Sequence, residues 1–278
     1  MRRWWRPRVL PGFGLSLGIT VVMLSFMVLV PLAMLLVRIS GMSAEAFFAA
    51  AFSPRALASY RVSLTTSAAA AVVATLVGSA VAWTLVRYPF PGRALVDAIV
   101  DLPFALPTAV AGVSLATLYG PHGPIGAPLE RWLGIEVAYT PVGIVLALVF
   151  IGVPFVVRTV QPVLEDLDPE LEEAATSLGA TRSQVLRRVV IPSLLPAMLT
   201  GMALAFARGV GEYGSVIFIA GNMPMRTEIA PLLIVTRLEE FDYEGASALA
   251  VVMMVVALGL LLLLNSLQRW VRLRQGDR

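Results

Sequence analysis

Six apolar runs, each near the roughly 20 residues an α-helix needs to cross a bilayer, lie at about 13–37, 62–86, 97–118, 141–160, 193–220 and 246–268. In lipid every backbone N–H and C=O must be satisfied within the protein, so runs of this kind leave few folds open. The expectation is an all-α fold, a polytopic membrane helical bundle of about six transmembrane helices, with residues 1–278 as a single transmembrane domain. Composition agrees, since 58% of residues are apolar and 14% charged, against roughly 25% charged in an average soluble domain. The 22 glycines and 19 prolines are scattered through the apolar runs rather than gathered in linkers. The first run follows Arg2, Arg3, Arg6 and Arg8. It is too long for a signal-peptide core and no clear A-x-A cleavage site follows, so it reads as a retained helix.

With the N-terminus in the cytoplasm, 14 of the 21 arginines fall inside, including Arg87, Arg93, Arg158, Arg182, Arg187 and Arg188. Six fall outside (Arg38, Arg55, Arg61, Arg131, Arg226 and Arg237) and Arg208 lies within a span. That excess obeys the positive-inside rule and predicts a multi-pass membrane protein with both termini cytoplasmic. Arginines placed beside apolar spans serve orientation, so nucleic acid is not an expected partner; the lipid bilayer is.

The chain has no cysteine and one histidine, His122. Thiol chemistry, disulfides and histidine-cluster metal sites are therefore excluded. His122 lies in a turn-rich outer segment and receives no role. All the basic residues are arginine, and without lysine the phosphate-binding loop G-x-x-x-x-G-K-[ST] cannot be written. The chain is thus not expected to be an enzyme by itself or to bind a cofactor or metal.

The segment 168–192 is the most informative polar stretch. Asp168 suits an N-cap, Pro169 the first helical position, and Glu170, Glu172 and Glu173 the positive helix start. Leu171, Ala174, Ala175 and Leu178 share one small apolar face, and Gly179 can adopt the left-handed conformation that ends a helix. Thr181-Arg-Ser-Gln184 matches a capping box, which starts a second short helix before Pro192. So short an element needs a partner for its apolar face, and in a cytoplasmic loop that partner can be a soluble protein.

Glu173-Ala174-Ala175, Gly179 and Val189-x-Ile191-Pro192 resemble the E-A-A-x3-G-x9-I-x-L-P loop of ABC importer permeases, with valine and isoleucine in place of isoleucine and leucine. The resemblance implies the type I ABC importer permease fold. It also implies a cytoplasmic coupling helix within 161–192 that docks on separate ATPase subunits, which bind ATP and Mg. Leu171, Glu172, Glu173, Ala174, Ala175, Leu178, Gly179 and Pro192 are the candidate coupling residues.

Two apolar runs carry features that a plain membrane helix lacks. Pro103 and Pro107 interrupt Asp101-Leu-Pro-Phe-Ala-Leu-Pro-Thr-Ala-Val-Ala-Gly112, which predicts a kinked or partly unwound backbone serving either packing or a pathway. The fifth run holds Arg208 and Glu212, whose i, i+4 spacing puts them on one helical face. Either they brace the bundle or they face the pathway, for which Tyr213, Ser215, Pro107 and Thr108 are the further candidates; on the second reading Arg208→Ala is expected to abolish transport and leave assembly intact. Gly209-Val-Gly-Glu-Tyr-Gly214 fits G-x-G-x-x-G, but no strand precedes it, so a dinucleotide site is rejected.

From about residue 50 onward the chain resembles the T-type permeases of sulfate and thiosulfate ABC importers, on the Leu-Pro-Thr-Ala-Val-Ala-Gly and Gly-Glu-Tyr-Gly-Ser-Val-Ile-Phe-Ile-Ala-Gly-Asn runs and Arg237-Leu-Glu-Glu-Phe-Asp-Tyr243. What this implies is a heterodimer with a W-type second permease subunit, two cytoplasmic ABC ATPase subunits and a periplasmic sulfate-binding protein. Molybdate or tungstate permeases are the nearest alternative, and a secondary anion transporter a more distant one. The acidic loop residues Glu239, Glu240, Asp242 and Glu244 form either a solvated face or a contact for the binding protein.

Overall fold

The computed structural model describes residues 12–276, with side chains except at 264–265 and 267–276. Arg2, Arg3, Arg6, Arg8 and Arg278, used above for orientation, lie outside the described residues, and only the backbone is described for Arg269, Arg272 and Arg274. All regular elements among the described residues are helical. In order they are α1 (Phe13–Leu24), a π-helical turn (Ser25–Leu29), α2 (Val30–Ile39), α3 (Ala44–Ala51), α4 (Pro54–Arg87), α5 (Arg93–Val100), α6 (Leu102–Ala105), α7 (Thr108–Tyr119) and α8 (Gly126–Leu133). There follow α9 (Pro141–Glu165), α10 (Pro169–Ser177), α11 (Arg182–Val185), a second π-helical turn (Leu186–Val190), α12 (Ile191–Val210), α13 (Val216–Ile219), α14 (Ala230–Glu239) and α15 (Tyr243–Gly276).

Five of these helical stretches are long and apolar enough to span a membrane: Phe13–Ile39, Pro54–Arg87, Pro141–Glu165, Arg182–Val210 and Tyr243–Leu263. The sixth expected span, 97–118, is not one helix but the broken series α5, α6 and α7. Pro107 makes its principal break. Leu106 before it is extended at φ −81° and ψ 137°, as a residue preceding proline prefers. Pro103 instead sits at the start of α6, where a missing amide hydrogen costs little. The second span begins at Pro54, not near 62, because the Ser53 hydroxyl accepts the Ala56 amide at 3.3 Å and caps it. Polar residues in that first part hid it from a hydropathy reading.

The centre of the bundle is α4, α9 and α12, packed through alanine, valine and glycine. Gly78 of α4 and Gly201 of α12 approach the same residue, Val156 of α9: a Cβ on Gly78 would lie 2.8 Å from Val156 Cβ, and one on Gly201 2.8 Å from Val156 Cα. Close helix approach through small residues is how membrane helices gain dispersion contact when lipid is as apolar as leucine. Replacing Gly201 with leucine is therefore expected to cost about 3 kcal/mol or more. Thermal unfolding of the purified chain in detergent measures it, with Gly259→Leu as the control, because a Cβ there meets nothing within 4 Å.

Among the described residues the ionic contacts other than Arg208–Glu212 sort to the two ends. At the end of the loop 166–181, Arg87 pairs with Glu172, and Arg158 with Asp97 at 2.8 Å and Asp101 at 2.6 Å. At the opposite end Arg55 holds the buried carboxylate of Glu228 through two hydrogen bonds of 2.8 and 2.7 Å. There also Arg38 lies over the Tyr243 ring, 5.3 Å from its centroid, and Arg237 bridges Glu240 and Asp242.

Candidate functional site

The loop between α9 and α12 is built from local hydrogen bonds. The Glu170 amide donates to Asp168 Oδ1 at 2.9 Å and opens α10. Gly179 closes it at φ +86°, with the Gly179 amide on Thr176 O at 2.9 Å and the Ala180 amide on Ala175 O at 3.1 Å. The αL conformation costs an L-residue roughly 1–2 kcal/mol and glycine almost nothing. The next helix starts with a reciprocal box: the Thr181 amide donates to Gln184 Oε1 at 2.8 Å and the Gln184 amide to Thr181 Oγ1 at 3.4 Å.

This second helix does not stop before Pro192. It runs without a break from Arg182 to Val210, a stretch of 29 residues, so within the expected loop 161–192 only residues 166–181 lie outside the two long helical stretches. The π-helical turn at 186–190 explains the continuity. Pro192 lacks an amide hydrogen and its ring crowds the carbonyl one turn back, and widening that turn relieves both demands. One helix thus joins α11 to the neighbourhood of Arg208 over about 40 Å.

The four apolar residues expected to share a face, Leu171, Ala174 and Ala175 of α10 and Leu178 just after it, do not all face one way. Leu171 is 51% and Leu178 89% exposed, Ala174 is exposed, and Ala175 packs on the α4–α9–α12 core. Leu178 and Gly179 border an open cleft of about 440 Å³ that is also lined by Val185 and Arg188. The two glutamates divide as well: Glu173 is exposed, whereas Glu172 pairs with Arg87.

At membrane depth the fifth span also differs from a continuous helix through 220. The helix ends at Val210, residues 211–215 are irregular, and α13 resumes at Val216. Arg208 Nη1 does pair with Glu212 Oε2, but Glu212 lies beyond the helix end. The other carboxylate oxygen, Oε1, accepts the Ser215 amide at 2.9 Å and the Ser215 hydroxyl at 3.0 Å. A carboxylate that collects a guanidinium, an amide and a hydroxyl is fully satisfied at 2% exposure, and in doing so it replaces the helical partner of the Ser215 amide.

This break packs against the break in the third span. A Cβ on Gly112 would lie 2.3 Å from Ser215 O, and one on Gly214 2.1 Å from Thr108 Oγ1. Thr108, Glu212, Ser215 and Arg208 therefore form one junction, with Pro107 capping the α7 side and Tyr213 packed among the outer apolar residues. Arg208 keeps 36% of its side chain exposed. Sequence reasoning did not find the contacts of Arg87, Arg158 and Arg55; the only signal was that each partner sits near the same end of its span.

Comparison with known proteins fits this architecture. The family model "Binding-protein-dependent transport system inner membrane component" matches residues 74–276. The "Sulfate transport system permease protein CysT" of Salmonella typhimurium is 50% identical over 261 residues, covering 94% of each chain. The protein of the same description in Synechocystis is 48% identical over 93% of this chain and 90% of that one. In fold, the chain is similar to a chain of a bacterial ABC transporter involved in the import of the acidic polysaccharide alginate, with a TM-score of 0.75 at 18% identity over 93% of this chain and 96% of that one. ATP in such a system is handled by partner ATPase subunits and not by the permease, which needs no cofactor of its own. The chain belongs to the binding-protein-dependent transport system inner membrane components, the multi-pass permeases of ABC importers.

Proposed function

We propose that this permease moves sulfate or thiosulfate inward across the bacterial inner membrane, driven by ATP that separate subunits hydrolyse. The observation that carries the substrate class is the 50% identity, over 94% of both chains, with a sulfate permease. In this reading the chain pairs with a W-type permease, two ATPase subunits dock on the exposed residues of α10 and α11, and a periplasmic binding protein delivers the anion to the opposite end. Closure of the ATPase pair draws the two coupling loops together, α11 and α12 shift as one rod, and the junction of Thr108, Ser215, Arg208 and Glu212 opens outward. Hydrolysis resets it.

Arg208 supplies the charge in the pathway. An arginine at membrane depth costs about 2.5–3.5 kcal/mol even on lenient scales, and one left 36% exposed gains most from a wet path between permeases. Its Nη1 is held by Glu212 while the other donors meet the passing anion, so attraction stays weak enough for release.

The reading is tested by uptake of labelled sulfate into vesicles carrying the intact complex, with thiosulfate or molybdate as competitor. Thiosulfate is expected to compete with sulfate at similar concentrations and molybdate only at about 100-fold excess or more. Preferential inhibition by molybdate would move the assignment to that anion.

A further inference from the structure

Glu172 and Glu173 are neighbours with opposite duties. Glu173 points outward, where an ATPase subunit docks. Glu172 turns back into the protein and pairs with Nη2 of Arg87, the last residue of α4. Both side chains are about three-quarters buried, at 24% and 26% exposure. The Arg87 guanidinium also lies over the ring of Trp83, one turn earlier, 5.3 Å from its centroid. A cation at a helix C-terminus is favoured by the carbonyl dipoles there, and an aromatic face adds to that. The arginine is therefore held from three sides and poorly hydrated: its Nε is buried without a hydrogen-bond partner. An exposed ion pair is worth little, but one anchored in this way fixes a position.

We propose that Arg87 and Glu172 form a permanent tether joining the coupling helix to the second span, so that α10 moves with α4 throughout the transport cycle. The proposal rests on the coupling reading above and deepens it. Apart from this tether, α10 is held among the described residues by the turn after α9, by the Gly179 joint, by the contact of Ala175 with the core and by packing on α11 and the π-helical turn that follows it. A glycine joint transmits position poorly, since its backbone is the least restrained of any residue. With the tether, displacement of α10 reaches α4 directly, while α11 drives α12. The two helices that flank α9 thus receive the movement together. Glu172 is in this sense a positioning residue, and the contact with the ATPase falls to Leu171, Glu173 and Leu178.

The test uses the complete transporter in proteoliposomes and reads labelled sulfate taken up per ATP hydrolysed. For Glu172→Gln and for Arg87→Gln the ATPase subunits are expected to co-purify as before, while uptake per ATP falls about tenfold, the effect of losing one charge-assisted contact. Exchanging the charges, Arg87→Glu together with Glu172→Arg, is expected to recover part of the ratio lost in either single variant, and not all of it, because a carboxylate at position 87 forgoes the helix end and the Trp83 ring. A purely local structural role would lower yield and leave the ratio unchanged. The chain has no cysteine, so Arg87→Cys with Glu172→Cys can be joined by a short bismaleimide, and the linked transporter is expected to keep coupled uptake. Single variants with a wild-type ratio, an exchange no better than either single change, or loss of uptake on linking would each overturn the tether. Absence of ATP-dependent uptake in the wild-type complex would instead remove the coupling reading itself.

Discussion

Gly179→Pro is expected to abolish ATP-driven uptake and to release the ATPase subunits during purification. Proline fixes φ near −65°, and Gly179 stands at +86°. Proline also removes the amide that donates to Thr176 O at 2.9 Å. Mismatches of this kind cost about 3 kcal/mol or more, enough to lower the population of the bent coupling element about 100-fold. Gly179→Ala separates conformation from bulk. A Cβ at this position meets nothing within 4 Å, so alanine carries only the left-handed strain of about 1 kcal/mol, and uptake is expected to fall no more than about fivefold. Glu173→Lys reverses an exposed charge without disturbing the Arg87–Glu172 pair, and it is expected to weaken ATPase docking at normal yield. Co-purification of the ATPase and ATP-dependent uptake in both Gly179→Pro and Glu173→Lys would contradict the coupling role.

The second large effect concerns Arg208, and here the structure changes the expectation. Sequence reasoning had Arg208→Ala abolish transport and spare assembly. Glu212 is 2% exposed, so removing the arginine strands a buried carboxylate, and breaking such a pair costs about 3–5 kcal/mol. Arg208→Ala is therefore expected to lower the yield of folded complex as well as transport. The informative variant is the double change Arg208→Met with Glu212→Gln. The glutamine carbonyl can still accept the Ser215 amide and hydroxyl, and the methionine fills the volume without a charge. This pair is expected to recover assembly and nucleotide hydrolysis while sulfate uptake remains at least about tenfold down. Full recovery of uptake would make the ion pair a brace and take Arg208 out of the pathway.

Features fixed by neighbouring residues were the legible ones. Asp168, Gly179 and the Thr181–Gln184 box set the ends of their helices through hydrogen bonds within four residues, and the apolar runs located the long helices. Features that depend on tertiary partners were not. The fifth span looks like a helix to residue 220, and only the capture of the Ser215 amide by Glu212, backed by Gly112 and Thr108 from another span, explains its break. The spacing of Leu171, Ala174, Ala175 and Leu178 suggested one apolar face, but which of them turn inward depends on the core beneath, so Ala175 packs on it and Leu178 does not. Arg87 and Glu172 lie 85 residues apart, beyond the reach of any local pattern. The roles of the junction and of the coupling surface rest on geometry, and the variants above separate them.

Movement of an oxyanion by this chain, with energy supplied by ATP hydrolysed elsewhere, is the expected activity. Its most direct test is labelled sulfate uptake into proteoliposomes holding the full complex and its binding protein, with ATP inside, without ATP, and with ATP and a hydrolysis-deficient ATPase subunit. Accumulation only in the first condition, unaffected by collapsing proton and sodium gradients, is the result expected. Accumulation without ATP that follows an ion gradient would contradict the account and identify a secondary transporter.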